Sequence, residues 1–358
     1  MKIIVKTVIF LLLTGCANMV PPTGGKKDID PPKLIGQRSI ENMEHLNTRI
    51  IEFEFNEFIQ ANKWDEYFYI SPPIKNKVHK KIKAKNLSIT IKDSLAHNTT
   101  YYLSLNSCIK DINEGNVLDT LSCFFSTSEN FNSLRLSGEI KDAYTLKVIE
   151  NAWVMLFNED IYDSLIFNTR PSYIAKTNKD GFFHFQNLNN DTFRMVALTG
   201  FDFIYNEAEK IAFFDATINA SMDSCVSLVA FDPIFTNDSI SSDTLVSISD
   251  STKSEAIEMK KNLTGSIILN MKQYPSIIFQ LLQNEKISHS FSFNNTPFLL
   301  DKITAGNYML KCILDENRDG HWTSGNWEKK IQPEKVFIYP EEIIIRSNWD
   351  LEIDWDLK

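Results

Sequence analysis

The chain has 358 residues and a formal net charge of −9, with 43% hydrophobic and 12% aromatic residues. This length predicts two to three domains of about 100–150 residues each, and an aromatic-rich, β-branched composition leans toward strands. The acidic balance excludes nucleic acid as a partner, because that binding is driven by clustered Lys and Arg.

The chain begins with a basic start, Met1, Lys2 and Lys6, followed by an apolar run from Thr7 to Leu13. This is the layout of a secretory signal peptide. The run is too short to span a bilayer, which takes about 20 apolar residues. Leu13-Thr14-Gly15-Cys16 resembles the bacterial lipobox. The resemblance implies that residues 1–15 are a lipoprotein signal peptide and that Cys16 carries the lipids. Each buried CH₂ contributes about 0.8 kcal/mol, so several acyl chains (palmitate or similar) make the membrane a permanent partner. Ala17 stands where an inner-membrane retention signal has Asp, which implies the outer membrane. The uncharged Ala17-Asn18-Met19-Val20 lacks the acidic cluster of surface-exported lipoproteins and favours the periplasmic face.

Residues 16–32 hold Pro21, Pro22, Gly24, Gly25, Pro31 and Pro32 and read as a flexible tether. From 33 to 128, short alternating runs such as Arg49-Ile50-Ile51-Glu52-Phe53-Glu54-Phe55 and Leu87-Ser88-Ile89-Thr90-Ile91 predict a β-sandwich. Phe55-Asn56-Glu57-Phe58-Ile59, Ser71-Pro72-Pro73, Asn98-Thr99-Thr100-Tyr101 and Asp111-Ile112-Asn113-Glu114-Gly115-Asn116 occur in the order of the bacterial Ig-like domain, which this region resembles. Cys108 and Cys123 flank the Glu114-Gly115-Asn116-Val117 turn symmetrically. A hairpin centred there would bring them within disulfide range; two free buried thiols are the alternative.

Residues 134–233 form a second module. Leu136-Ser137-Gly138-Glu139-Ile140 opens it, Ala152-Trp153-Val154-Met155-Leu156-Phe157 follows, and Asp180-Gly181 predicts a hairpin over 177–185. These segments resemble the carboxypeptidase-regulatory-like, prealbumin-type sandwich, which implies a spacer or binding module. Residues 236–260 are Ser/Asp/Thr-rich and read as a linker. Its Asp238-Ser239-Ile240 and Asp243-Thr244-Leu245 resemble a periplasmic O-glycosylation signal. Residues 262–358 read as a divergent copy of the second module, with Leu263-Thr264-Gly265-Ser266-Ile267 matching its opening.

The third module is longer than the second around Asp315-Glu316-Asn317-Arg318-Asp319-Gly320-His321-Trp322. That segment matches the start of a calcium loop, with Asp315, Asn317 and Asp319 as alternating oxygen ligands and a Gly for the sharp turn. The twelfth position, Asn326, stands where a bidentate carboxylate is expected. A structural Ca²⁺ is therefore one reading and a solvated polar turn the other. Trp322, Trp327, Trp349 and Trp355 crowd the last 37 residues. Trp349, Leu351, Ile353 and Trp355 alternate as a core face would. Trp322 and Trp327 are the candidates for stacking on sugar rings. No HExxH, GxSxG, P-loop or GxGxxG pattern occurs, so no catalytic residue is assigned and no cofactor is required.

The expectation is an all-β chain of tandem Ig-like and prealbumin-like sandwiches behind a lipoprotein signal. Its expected role is that of a non-enzymatic scaffold, accessory subunit or protein-binding module at the outer membrane, partnered by an envelope β-barrel or complex. A carbohydrate-binding lipoprotein is the alternative.

Overall fold

The computed structural model describes residues 25–38, 50–91, 95–129, 131–161, 166, 168–200, 202, 204–206, 208–221, 225–233, 264–293 and 298–357. Cys16, the signal peptide, most of the tether and the 236–260 linker lie outside the described residues.

The first module builds nine strands: β1 Leu34–Arg38, β2 Ile50–Phe55, β3 Ile59–Ala61, β4 Tyr69–Ser71, β5 His79–Lys83, β6 Asn86–Thr90, β7 Thr100–Ser104, β8 Ile109–Asp111 and β9 Ser122–Ser126. One sheet runs β1-β2-β6-β5, a second β4-β7-β9, and β3 pairs with β8. The two-residue period decides the packing: Ile51, Phe53 and Phe55 of β2 point inward while Ile50, Glu52 and Glu54 are exposed. The chain ahead of β1 is partly held, since Asn116 Nδ2 donates to the carbonyls of Asp28 at 3.2 Å and Asp30 at 3.1 Å. Asp28 and Asp30 are thus tied to the first module.

The second module contains β10 Leu134–Asp142, β11 Trp153–Asn158, β12 Tyr173–Lys176, β13 Phe182–Leu188, β14 Thr192–Leu198, β15 Ile211–Phe213, β16 Ile218–Asn219 and β17 Cys225–Ala230. The third contains β18 Thr264–Asn270, β19 Ile277–Gln283, β20 Lys286–Phe293, β21 Phe298–Thr304, β22 Gly306–Leu314, β23 Val336–Ile338, β24 Ile343–Ile345 and β25 Asp350–Asp354. The two modules repeat one topology. A small sheet β13-β10-β17 faces a larger sheet β12-β11-β14-β15 with β16 on β14, and β21-β18-β25 faces β20-β19-β22-β23 with β24 on β22. In both, the first strand pairs in parallel with the last, β10 with β17 and β18 with β25.

One predicted hairpin is replaced by a crossing. The Asp180-Gly181 turn forms, with Gly181 at φ +77°, but β12 continues into the large sheet and β13 into the small one. The turn chemistry is local, whereas strand pairing is set by which face each strand must bury.

The two copies are stacked, not strung end to end. Val154 and Leu156 of β11 pack into their own sandwich. Trp153, Met155 and Phe157 of the same strand join a second cluster with Ile278, Ile313, Trp322 and Val336 of the third module. A strand covered on both faces needs apolar residues at every position, which is why β11 reads Trp-Val-Met-Leu-Phe without alternation. The first module docks on the same large sheet at its β12 edge. Ser71 Oγ accepts the Ile174 amide at 3.0 Å, Lys176 Nζ donates to the Glu66 carbonyl, and Tyr69 meets Trp153 edge-on at 5.6 Å.

Candidate functional site

Residues 315–335, the extra length of the third module, lie where the two copies meet. Asp315 is buried and anchors the entry: its carboxylate accepts from Ser276 Oγ at 2.9 Å, from the Asp319 amide at 3.1 Å and from the Gly320 amide at 3.1 Å. Asn317 Oδ1 also accepts from the Asp319 amide, at 3.0 Å, and its Nδ2 donates to Thr323 Oγ1 at 2.7 Å. Asp319 Oδ1 accepts the His321 amide at 2.7 Å. From the far end of the loop, buried Glu334 accepts the amides of Glu316 at 2.8 Å and Thr323 at 2.9 Å. Burial pushes the Glu334 carboxyl above its usual range, against the pull of those backbone donors.

These bonds tie the loop to itself. Asp315 and Asn317 close turns on the loop's own amides, as does Asp319, and Asn326 Oδ1 accepts the Lys329 amide at 2.8 Å. Among the described residues, no group of three or more His, Cys, Asp or Glu side chains is gathered so as to hold a metal ion. Glu334 serves backbone N–H groups from outside the twelve-residue spacing.

The loop instead drives an indole into the joint between modules. Trp322 is 4% exposed, its Nε1 donates to the Glu334 carbonyl at 3.0 Å, and its ring lies 5.0 Å from Tyr144 of the second module. The sugar-stacking role expected for Trp322 is thereby corrected: a ring sealed into an apolar cluster has no face to offer. Trp327 is half-buried against Phe213 at 5.3 Å, edge to face, and Lys330 Nζ covers its ring at 2.8 Å. It borders a hollow of about 330 Å³ shared with Glu159, Arg194 and Asp215. Further along, Ser324 Oγ donates to the Asp232 carbonyl at 2.7 Å and Gln332 Nε2 to the Phe213 carbonyl at 3.0 Å. A Cβ on Gly325 would come within 2.6 Å of the Phe231 ring, so only glycine lets the loop approach this closely.

Beside Trp322 the joint holds a polar cluster absent from the expected sites. Lys311, 3% exposed, donates to the Tyr144 carbonyl at 3.0 Å and sits 3.6 Å above the Tyr144 ring. The Tyr144 hydroxyl donates to Gln280 Oε1 at 2.9 Å. Burial pulls the Lys311 ammonium down to about 8, with Asp142 acting in the opposite sense. Asp142 is itself paired with Lys210. Its burial opposes ionisation, but the bonds from Lys210 and Thr145 outweigh it and hold the carboxyl below its usual range. The sequence signal for this cluster was a single polar residue inside an apolar run, Gln280 in Ile-Ile-Phe-Gln-Leu-Leu and Lys311 in Tyr-Met-Leu-Lys-Cys-Ile-Leu.

Two further expectations are corrected. Cys108 and Cys123 are free, buried thiols, not a disulfide. The hairpin is offset from the assumed centre: Leu103 faces Cys123 and Lys110 faces Val117, so the position opposite Cys108 falls near Leu118. Burial raises both thiols to about 12. Trp349 is 55% exposed and leaves the core face to Ile353 and Trp355.

With the sandwich geometry in hand, the first module can be placed. Residues 28–127 match the bacterial Ig-like domain. Among solved structures the chain is similar to the TIE protein of Bacillus anthracis, at 11% identity and TM-score 0.19, covering 94% of this chain and 59% of that one. It is also similar to the major pilin subunit of Bacillus cereus, at 7% identity and TM-score 0.19, covering 56% and 70%. A third is the S-layer protein SbsC, at 11% identity and TM-score 0.18, covering 88% and 41%. No curated protein matches the chain. The Ig-like domain ends before β10, and Asn187 Nδ2 donates to the Asn132 carbonyl at 2.7 Å to close the junction with the second module.

Proposed function

We propose that this chain is a non-enzymatic, lipid-anchored envelope protein that holds partner proteins at the outer membrane, facing the periplasm. The observation that carries the reading is how residues 315–335 are used. The most chemically equipped loop of the sequence spends its carboxylates on its own amides and its indole on the joint between two sandwiches. Such a chain presents surfaces in fixed relation to one another, and an anchor at Cys16 would keep them at the membrane, which is what a scaffold or accessory subunit needs. The test is in-cell crosslinking of the anchored protein followed by purification and mass spectrometry. An outer-membrane β-barrel or envelope complex crosslinked to the sandwich modules supports the reading; recovery of no envelope protein ends it.

One observation favours a carbohydrate-binding role as the second reading, at a site other than Trp322 and Trp327. The half-exposed Trp349 lies beside Ile344 and Arg346 at a hollow of about 250 Å³, with the guanidinium 5.5 Å from the indole ring. If envelope glycans are bound, Trp349→Ala abolishes retention on a glycan column while Trp327→Ala leaves it; equal retention of both variants excludes this site.

A further inference from the structure

Sheet edges expose unpaired amides and carbonyls, and proteins blunt them with charges, bulges, shortness or a covering element. Those devices are visible along this chain. β5 carries Lys80, Lys81 and Lys83, and β25 carries Asp350, Glu352 and Asp354. β21 has Asp301 and Lys302, the latter at φ +59°. β1 is bulged between Leu34 and Gly36, and β23 is three residues long. β12, the edge of the large sheet in the second module, is covered by the Ig-like domain through the Ser71–Ile174 bond.

β20 is the counterpart of β12 in the repeated topology; apart from a bulge at Ser288, between Ile287 opposite Leu282 and His289 opposite Leu281, it carries none of these devices. It is eight residues long, Lys-Ile-Ser-His-Ser-Phe-Ser-Phe, with its single charge at the first position. Among the described residues it pairs with β19 alone, which leaves its other side open. One face, Ser288, Ser290 and Ser292 after Lys286, is exposed. The other, Ile287, His289, Phe291 and Phe293, is only half-buried, although these are the residue types that a core takes in. His289 and Phe291 stack at 6.2 Å, and Phe291 and Phe293 at 6.5 Å, giving an aromatic row along the open edge.

The strand is self-complementary. In an antiparallel pair, residues directly opposite share a face. A two-fold axis at His289 sets Ile287 against Phe291, Ser288 against Ser290 and Lys286 against Ser292 of the other copy. An axis at Ser290 sets Ile287 against Phe293 and His289 against Phe291. Either way Ile287 meets a phenylalanine and Ser288 meets a serine, His289 faces its own copy or Phe291, and no two lysines face each other.

We infer that β20 is a dimerisation edge: two copies of the chain join antiparallel along Lys286–Phe293 about an axis at His289 or Ser290, continuing the large sheet from one copy into the other. The contact is isologous and closes on itself, so it gives a dimer and not a fibre. It rests on the strand and the repeat and not on the lipid anchor.

The test is sedimentation of the full chain in density-matched detergent, against a variant carrying S288K and S290K. Both substituted positions are exposed, so folding is preserved, and circular dichroism and melting confirm it. In the axis at His289 the two lysines face each other across the joint. With the axis at Ser290, position 290 faces its own copy. Opposed like charges weaken the dimer about tenfold or more. The register is read by single cysteines at 287, 289 and 290 in a C225S background. A disulfide-linked dimer forms through position 289 or 290 and not through 287, whose opposite number is Phe291 or Phe293. A parent chain that stays monomeric at its highest soluble concentration overturns the inference, as does a dimer that neither the lysine pair weakens nor either axial cysteine traps.

Discussion

The joint between the second and third modules turns on a few side chains with opposite energetic signs. Trp322 fills it, and truncating a buried aromatic typically costs about 3–5 kcal/mol. Trp322→Ala is expected to lower the melting temperature and to split a shared transition into two, read by calorimetry; one unchanged transition would show that the indole does not couple the modules. Lys311 acts the other way. Its folded pKa of about 8 lies below the ordinary 10.5, so between those values the unfolded chain holds the extra proton. Stability from this group therefore rises as pH climbs through that window and is lowest below pH 8. At one pKa unit per 1.36 kcal/mol, the burden at neutral pH is about 3 kcal/mol. Lys311→Met is expected to melt higher than the parent at pH 7, with the gain shrinking toward pH 10. A gain independent of pH would assign the effect to packing and not to the charge. The free thiols give a third check. Cys108 and Cys123, raised to about 12 by burial, should resist alkylation in the native protein and react after unfolding, without any reductant.

At the scale of elements, what could be read from the sequence depended on range. Strands with one wet face were legible because their period is two: β2 appears as Ile-Ile-Glu-Phe-Glu-Phe and packs as it reads. The turn at Asp180-Gly181 was legible too, but the partners of its strands were not, since pairing depends on residues far away. The disulfide failed for the same reason, through an offset of register that no local signal carries. Residues 315–335 were conspicuous in the sequence by composition, and their use became visible only once Phe213, Phe231 and Tyr144 were placed against them. The loop's closeness to the second module makes Gly325→Ala a sensitive probe. A Cβ 2.6 Å from the Phe231 ring should cost about 1–3 kcal/mol by overpacking, and a neutral substitution would mean the loop does not seat there. Because the loop amides already hold Asp315, Asp319 and Glu334, neither Ca²⁺ nor a chelator should move the melting temperature; a rise with Ca²⁺ that Asp315→Ala removes would assign a metal after all.

For the whole molecule, the repeat explains the arrangement. One sandwich topology occurs twice, the two large sheets face each other, and the first copy's free edge takes the Ig-like domain while the second copy's edge is left to a partner. Composition and strand period made the all-β class legible, and the matched opening segments made the duplication legible. The face-to-face stacking was written only in unbroken apolar runs such as β11, which local reading assigns to a core without saying whose. We propose that this assembly works where a lipid on Cys16 would place it. The direct test is a Cys16→Ser chain examined by membrane fractionation together with circular dichroism and crosslinking. The account predicts native folding, loss from the membrane fraction and loss of the crosslinked envelope partner. A Cys16→Ser protein that stays in the membrane fraction would contradict it.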